Sequence, residues 1–95
     1  MDILNSEWQC TIQEKEMRMF IVSLLESIGI ERMHPEVGAW GLDNPILGYA
    51  KHYTHHNTRM DTYTLQCFTS VTPGYATKID PKDLLKEIGR IKDGL

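Results

Sequence analysis

The hydrophobic period of this chain changes twice along its length, and that change constrains the fold more than any other feature. Met17, Phe20, Ile21, Leu24, Leu25 and Ile28 recur at the spacing of one helical face. From residue 62 to 71 the residues are largely β-branched or aromatic, and Tyr63, Leu65, Cys67 and Val71 fall on alternating positions, which is strand behaviour. Helical spacing returns with Leu84, Leu85, Ile88, Ile91 and Leu95. Two amphipathic helices around a half-apolar ribbon bury their faces best as two layers, so the pattern predicts an α+β fold. In it, N- and C-terminal helices cover one side of a small antiparallel sheet and leave the other side open.

Punctuation residues sharpen the boundaries. Thr11 and Glu14 have capping-box spacing for the first helix, with a competing earlier start at Ser6 and Gln9. The later start lets residues 7–11 be extended. Gly29 can close that helix in the left-handed conformation, with Ile30 packing back on the last turn. Asp80 and Pro81 make a cap and first position for the second helix, and Gly94 is its natural stop. Residues 31–45 hold two prolines and two glycines, which marks a loop carrying Trp40, with a short strand from Val37 to Leu42.

The segment from Ile46 to Thr54 fits two structures. As a helix, Asn44 caps it, Pro45 opens it, and Ile46, Tyr49, Ala50 and Tyr53 share a face. As a strand it forms a hairpin, 46–54 with 59–71, turning near Asn57. The strand is favoured because Gly48, Thr54 and the tyrosines weaken the helix. A short strand from Tyr75 to Ile79 completes the elements of a single domain, 1–95, that reads as complete from Met1.

Composition bounds the function. With 95 residues, 41% hydrophobic and 24% charged, the chain has the make-up of one globular domain. Its 10 Lys and Arg against 13 Asp and Glu give a net charge of −3, which argues against a nucleic-acid coat needing surplus positive charge. Cys10 and Cys67 form no CxxC pair and make a poor disulfide framework, so a reducing, cytoplasmic setting is expected. The N-terminus has no signal-peptide pattern, and no apolar run is long enough to span a bilayer.

Candidate chemistry centres on the histidines. A hairpin turning at His56 and Asn57 places His52 opposite Asp61 and Ala50 opposite Tyr63. An aspartate that orients a histidine is half of a general-base pair, as a small hydrolase of phosphate esters would need, with His55 or His56 assisting. Against it stands the ordinary polar cross-strand pair on a wet face. A helical 45–57 would instead put His52 and His56 on one face, but the HExxH glutamate is absent and no third ligand is evident, so no metal is expected.

Trp40 between Gly38 and Gly41 suits a binding anchor, and equally a plug for one end of the core. Tyr49, Tyr53, Lys51 and Arg59 can form an aromatic and basic surface on the hairpin. No phosphate loop or GxSxG elbow exists, so no cofactor is expected. These readings favour a binding or inhibitory module that contacts a protein partner or a second copy of itself. They keep a hydrolase and a nucleotide or small-ligand binder as alternatives, the last with a pocket between the sheet and loop 31–45.

Overall fold

A computed structural model describes residues 1–32, 44–51, 58–68 and 76–94. In chain order its elements are β1 (Trp8–Thr11), α1 (Lys15–Ser27), β2 (Ile46–Ala50), β3 (Thr64–Phe68), β4 (Thr77–Lys78) and α2 (Pro81–Asp93). The strands form one sheet in the order β3-β2-β1-β4. The class is α+β, as the periods imply. The sheet is mixed rather than antiparallel, because β1 pairs antiparallel with β2 but parallel with β4.

A strand, not a helix, opens the described elements, and it lies inside the sheet. Thr11 pairs with Ile46 in β1 instead of capping α1, and the ladder runs on through the Ile12 amide to the Pro45 carbonyl at 2.8 Å. Helix α1 therefore begins at Lys15, with Glu14 at the cap position and no side-chain cap bond. Its end follows the glycine. The Gly29 amide donates to Glu26 and the Ile30 amide to Leu25, with Gly29 at φ +97°, so Ile30 is turned back into the core.

Strands β2 and β3 pair as expected of a ribbon, but over shorter arms and in a different register. Leu47 pairs with Cys67, Tyr49 with Leu65, and Ala50 with Thr64 rather than with Tyr63. The hydrophobic pattern explains the choice. Paired residues share a face, and the observed register puts Leu47, Tyr49, Leu65 and Cys67 together with Trp8 and Cys10 of β1. A one-residue slip would set Leu47 against Gln66 and Tyr49 against Thr64, placing polar side chains in the core.

That face joins both helices in one core: Ile21, Val22 and Leu25 of α1 and Leu84 and Ile88 of α2. The opposite face is not the open plane expected of a two-layer fold. Gly48, Ala50 and Thr64 lie there by alternation, and all three are buried. Glu31 and Arg32 also cover part of the β3 edge, through the Leu65 amide to the Glu31 carbonyl and a parallel bridge between Arg32 and Leu65.

Helix α2 matches its sequence signals. Asp80 stands at the cap with Pro81 behind it, although its side chain makes no cap bond, and Arg90 and Lys92 complement the negative end of the dipole. Helix α1 is rotated about its axis relative to its periodicity. Met17 and Phe20 point out, 40% and 56% exposed, while Arg18 is 3% exposed. The Arg18 guanidinium donates to the carbonyls of Ile12 and Gln13, so it closes the β1–α1 connection from inside and takes a place an apolar side chain would fill.

Candidate functional site

Of the residues singled out by sequence, Trp40, His34, His52, Tyr53, His55 and His56 lie outside the described residues. So do the strand suggested for Val37 to Leu42 and most of loop 31–45. Asp61 is exposed in a bend ahead of β3. The described pairs run one residue away from the register that set His52 opposite Asp61, with Ala50 against Thr64, and the His52 end of that pairing lies outside the described residues. Among the described residues no three His, Cys, Asp or Glu side chains come close enough to hold a metal ion.

Tyr49 does not belong to a surface. Its ring stacks on Trp8 at 5.6 Å and on Tyr63 at 5.3 Å between centroids, and only 6% of the residue is exposed. Lys51 lies over the far ring, its Nζ 5.1 Å from the Tyr63 centroid. The polar tips of the three rings reach three successive carbonyls. Trp8 Nε1 donates to Ile3 at 2.9 Å, the Tyr49 hydroxyl to Leu4 at 2.9 Å, and the Tyr63 hydroxyl to Asn5 at 3.2 Å. Burial pushes the Tyr49 phenol above its ordinary pKa, with Tyr63 adding to the shift. This ladder ties the N-terminal segment across the sheet.

Arg59 is likewise tied to the fold. Its guanidinium pairs with Glu7 and donates through Nε to the Lys51 carbonyl at 3.2 Å, while the Lys51 amide donates to Glu7 at 3.1 Å. Of the aromatic and basic surface expected here, Tyr49 is buried, while Arg59 stays exposed and is braced by Glu7 and Lys51. The two thiols are internal as well. Cys10 and Cys67 are buried and lie on strands separated by β2, each facing Leu47. Burial, with a contribution from Asp80, pushes the Cys10 thiol up to about 12; burial pushes Cys67 up to about 11 against the opposing pull of Arg18 and Arg32. Neither offers a thiolate for chemistry near neutral pH.

Two surface features of the described residues bear on function. The first is a half-open cleft of about 610 Å³ between the β1–β4 edge and the N-terminal half of α2. Lys78, Lys86 and Arg90 line it together with Asp80, Asp83 and Glu87, and Arg90 already pairs with Glu87 at 3.1 Å. Three charges of each sign cancel at close range, so the cleft presents no single-sign field to draw in a charged ligand.

The second is the outward side of α1. Met17, Met19 and Phe20 are 40%, 46% and 56% exposed, and half-buried Leu24 and Ile28 continue the apolar strip toward the C-terminal end of the helix. Glu14 and Glu16 are exposed near its N-terminal end, while Glu26, on the far side of the helix, pairs with Arg32 at 3.2 Å. Single exposed apolar residues are ordinary, but Met17, Phe20, Leu24 and Ile28 adjoin one another at three- and four-residue spacings and run into the core margin, so they form a contiguous strip, with Met19 apart on the other side of the helix. Sequence reasoning assigned Met17 and Phe20 to the core. The available signal was the width of the apolar arc: Met17, Phe20, Leu24, Ile28, Ile21, Leu25 and Val22 cover more of the helix than one buried face can use.

No described helix is long and apolar enough to cross a membrane. Comparison of the chain with protein-family models, with curated proteins and with solved structures returned no match.

Proposed function

We propose that this chain is a protein-binding module, of the kind that acts by contact or inhibition rather than catalysis, and that its contact face is the outward side of α1. The observation that carries the reading is Phe20, a large aromatic side chain 56% exposed on a regular helix between two half-exposed methionines. Keeping such a ring in water sacrifices burial free energy of about 25 cal/mol per Å² of apolar surface, which association recovers. Aromatic and methionine side chains are also the types enriched at the centres of interfaces. Exposed Glu16 at the margin of the strip favours a partner face that sets a basic group beside its apolar centre.

This differs from a contact surface built on Trp40, Tyr49 and Tyr53, because Tyr49 is spent inside the fold. The test is a pair of substitutions read in the native cell and in vitro. Phe20→Glu should leave the thermal midpoint within about 2 °C of the parent, since surface changes away from packed features cost little. It should also remove the partners co-purified with the parent chain. Retention of the same partners by the folded Phe20→Glu chain would sink the reading.

A further inference from the structure

The exposed seam of α1 is complementary to itself. Glu16, Phe20, Ser23 and Ser27 follow one another at spacings of four, three and four, so they form a single line along the helix. All four are exposed. At the far end of the line, Lys92 of α2 reaches over and places its Nζ 3.3 Å from the Ser27 hydroxyl. The line therefore reads carboxylate, aromatic ring, small hydroxyl, ammonium. Reversed end for end, it meets its complement at every step: carboxylate on ammonium, ring on the small side chain.

Resting on the reading of α1 as the contact face, we propose that the partner it fits is a second copy of this chain, docked with the two α1 helices antiparallel about a two-fold axis midway between Phe20 and Ser23. In that arrangement each Phe20 ring enters the space over the partner's small Ser23, as a knob enters a hole. Each Glu16 lies beside the Ser27 and Lys92 end of the other copy. Met17 and Leu24 flank the seam on one side and Met19 on the other, so their side chains lie at the margins of the contact. A two-fold contact of one patch with itself is the commonest way small proteins associate.

The charge pairing cannot be met within one chain. Glu16 and Ser27 stand about 16 Å apart along the helix at its rise per residue, and Lys92 is held at the Ser27 end. Coupling between positions 16 and 92 is thus a signature of the two-copy contact. A single pair of helices of this length buries an area at the small end for stable complexes, so the dimer belongs to the weak class, with Kd on the order of tens of micromolar.

Sedimentation equilibrium of the full chain over a concentration series tests this directly. The parent should pass from monomer to dimer mass, and added salt should weaken it. Phe20→Glu and Ser23→Arg should each raise Kd about 30-fold or more, the second without touching the core. Glu16→Lys and Lys92→Glu should each weaken the dimer several-fold, and the double exchange in one chain should restore it. Circular dichroism confirms that each variant is folded. A parent that stays monomeric throughout, or a double exchange no tighter than the single ones, overturns the two-copy contact. In that event, partners lost from cells on Phe20→Glu would leave α1 as a face for a different protein, while partners retained would remove both readings.

Discussion

At the residue scale the aromatic ladder shows how one side chain can serve packing and polarity together. Tyr49 buries its ring between Trp8 and Tyr63 and still delivers its hydroxyl to the Leu4 carbonyl at 2.9 Å. The two contributions separate by substitution. Tyr49→Phe keeps the stack and removes one hydrogen bond, which should cost about 1–2 kcal/mol. Tyr49→Ala empties the centre of the ladder and should cost about 3–5 kcal/mol, the range for large aromatic side chains removed from cores. Urea denaturation of the two variants reads the difference. An alanine at this position that left stability untouched would contradict the buried ladder.

The thiols give a second residue-scale expectation. Cys10 and Cys67 ionise near 9.0 when free but are held up to about 12 and about 11 in the fold. Between those values the unfolded chain has lost the protons that the native chain keeps, so stability falls as pH rises. The contribution is complete below pH 9, and it is lost progressively as pH climbs through the native values. Denaturation midpoints measured from pH 8 to 11 should drop more steeply in the parent than in a Cys10→Ala, Cys67→Ala chain. In the native parent at neutral pH, a thiol reagent should label neither cysteine before unfolding.

At the scale of elements, Gly29 and Gly89 have opposite roles. Gly29 sits at φ +97° with open space around it, so a methyl group there meets no clash and only backbone strain. Gly29→Ala should cost about 1–2 kcal/mol and loosen the turn that buries Ile30. Gly89 lies inside α2, with nothing near an added Cβ. Gly89→Ala should therefore stabilise the chain by up to about 1 kcal/mol. Thermal unfolding of both variants checks the pair of signs. An equal effect at the two sites would mean that the Gly29 conformation is not required.

Helix α1 shows where reading by element reaches its limit. Its existence, its glycine stop and the burial of Ile21 and Leu25 follow from spacing alone. The rotation that exposes Met17 and Phe20 does not, because it depends on Arg18 turning inward to donate to Ile12 and Gln13. A rule that sends arginine to the surface cannot anticipate carbonyls left without donors at a strand-to-helix corner. Strand β1 was hidden for a related reason. Four residues, Trp8 to Thr11, carry little periodic signal, so an extended 7–11 was only one of two readings, and an earlier helix start at Ser6 competed for Trp8 and Cys10.

At the scale of the whole molecule, the sheet order β3-β2-β1-β4 makes the first strand a central one. Stability is thereby spread between the two ends of the chain. The Thr77 and Ile79 amides donate to the Glu7 and Gln9 carbonyls, and Gln9 Nε2 donates to Ala76 at 2.8 Å. Neither terminal part is an appendage, and contacts this distant in sequence raise the loop-closure cost of folding. The α1 face is a different matter. Its exposed residues lie on the outer side of the helix, away from these cross-links, so association through it can be altered without disturbing the fold. That separation is what makes Phe20→Glu and the Glu16 and Lys92 exchanges informative.

The sequence by itself determined the α+β class, the glycine-ended first helix and the proline-started second helix, and it offered the strand at 46–50 only as one of two structures. These follow from local periods and from residues with special backbone freedom, which act within a few positions of themselves. Only the tertiary structure decided the parallel pairing of β1 with β4, the register that sets Ala50 against Thr64, and which part of the α1 arc faces water. Those outcomes depend on which distant groups satisfy one another's hydrogen bonds and fill one another's volume, and no short stretch of chain carries that information.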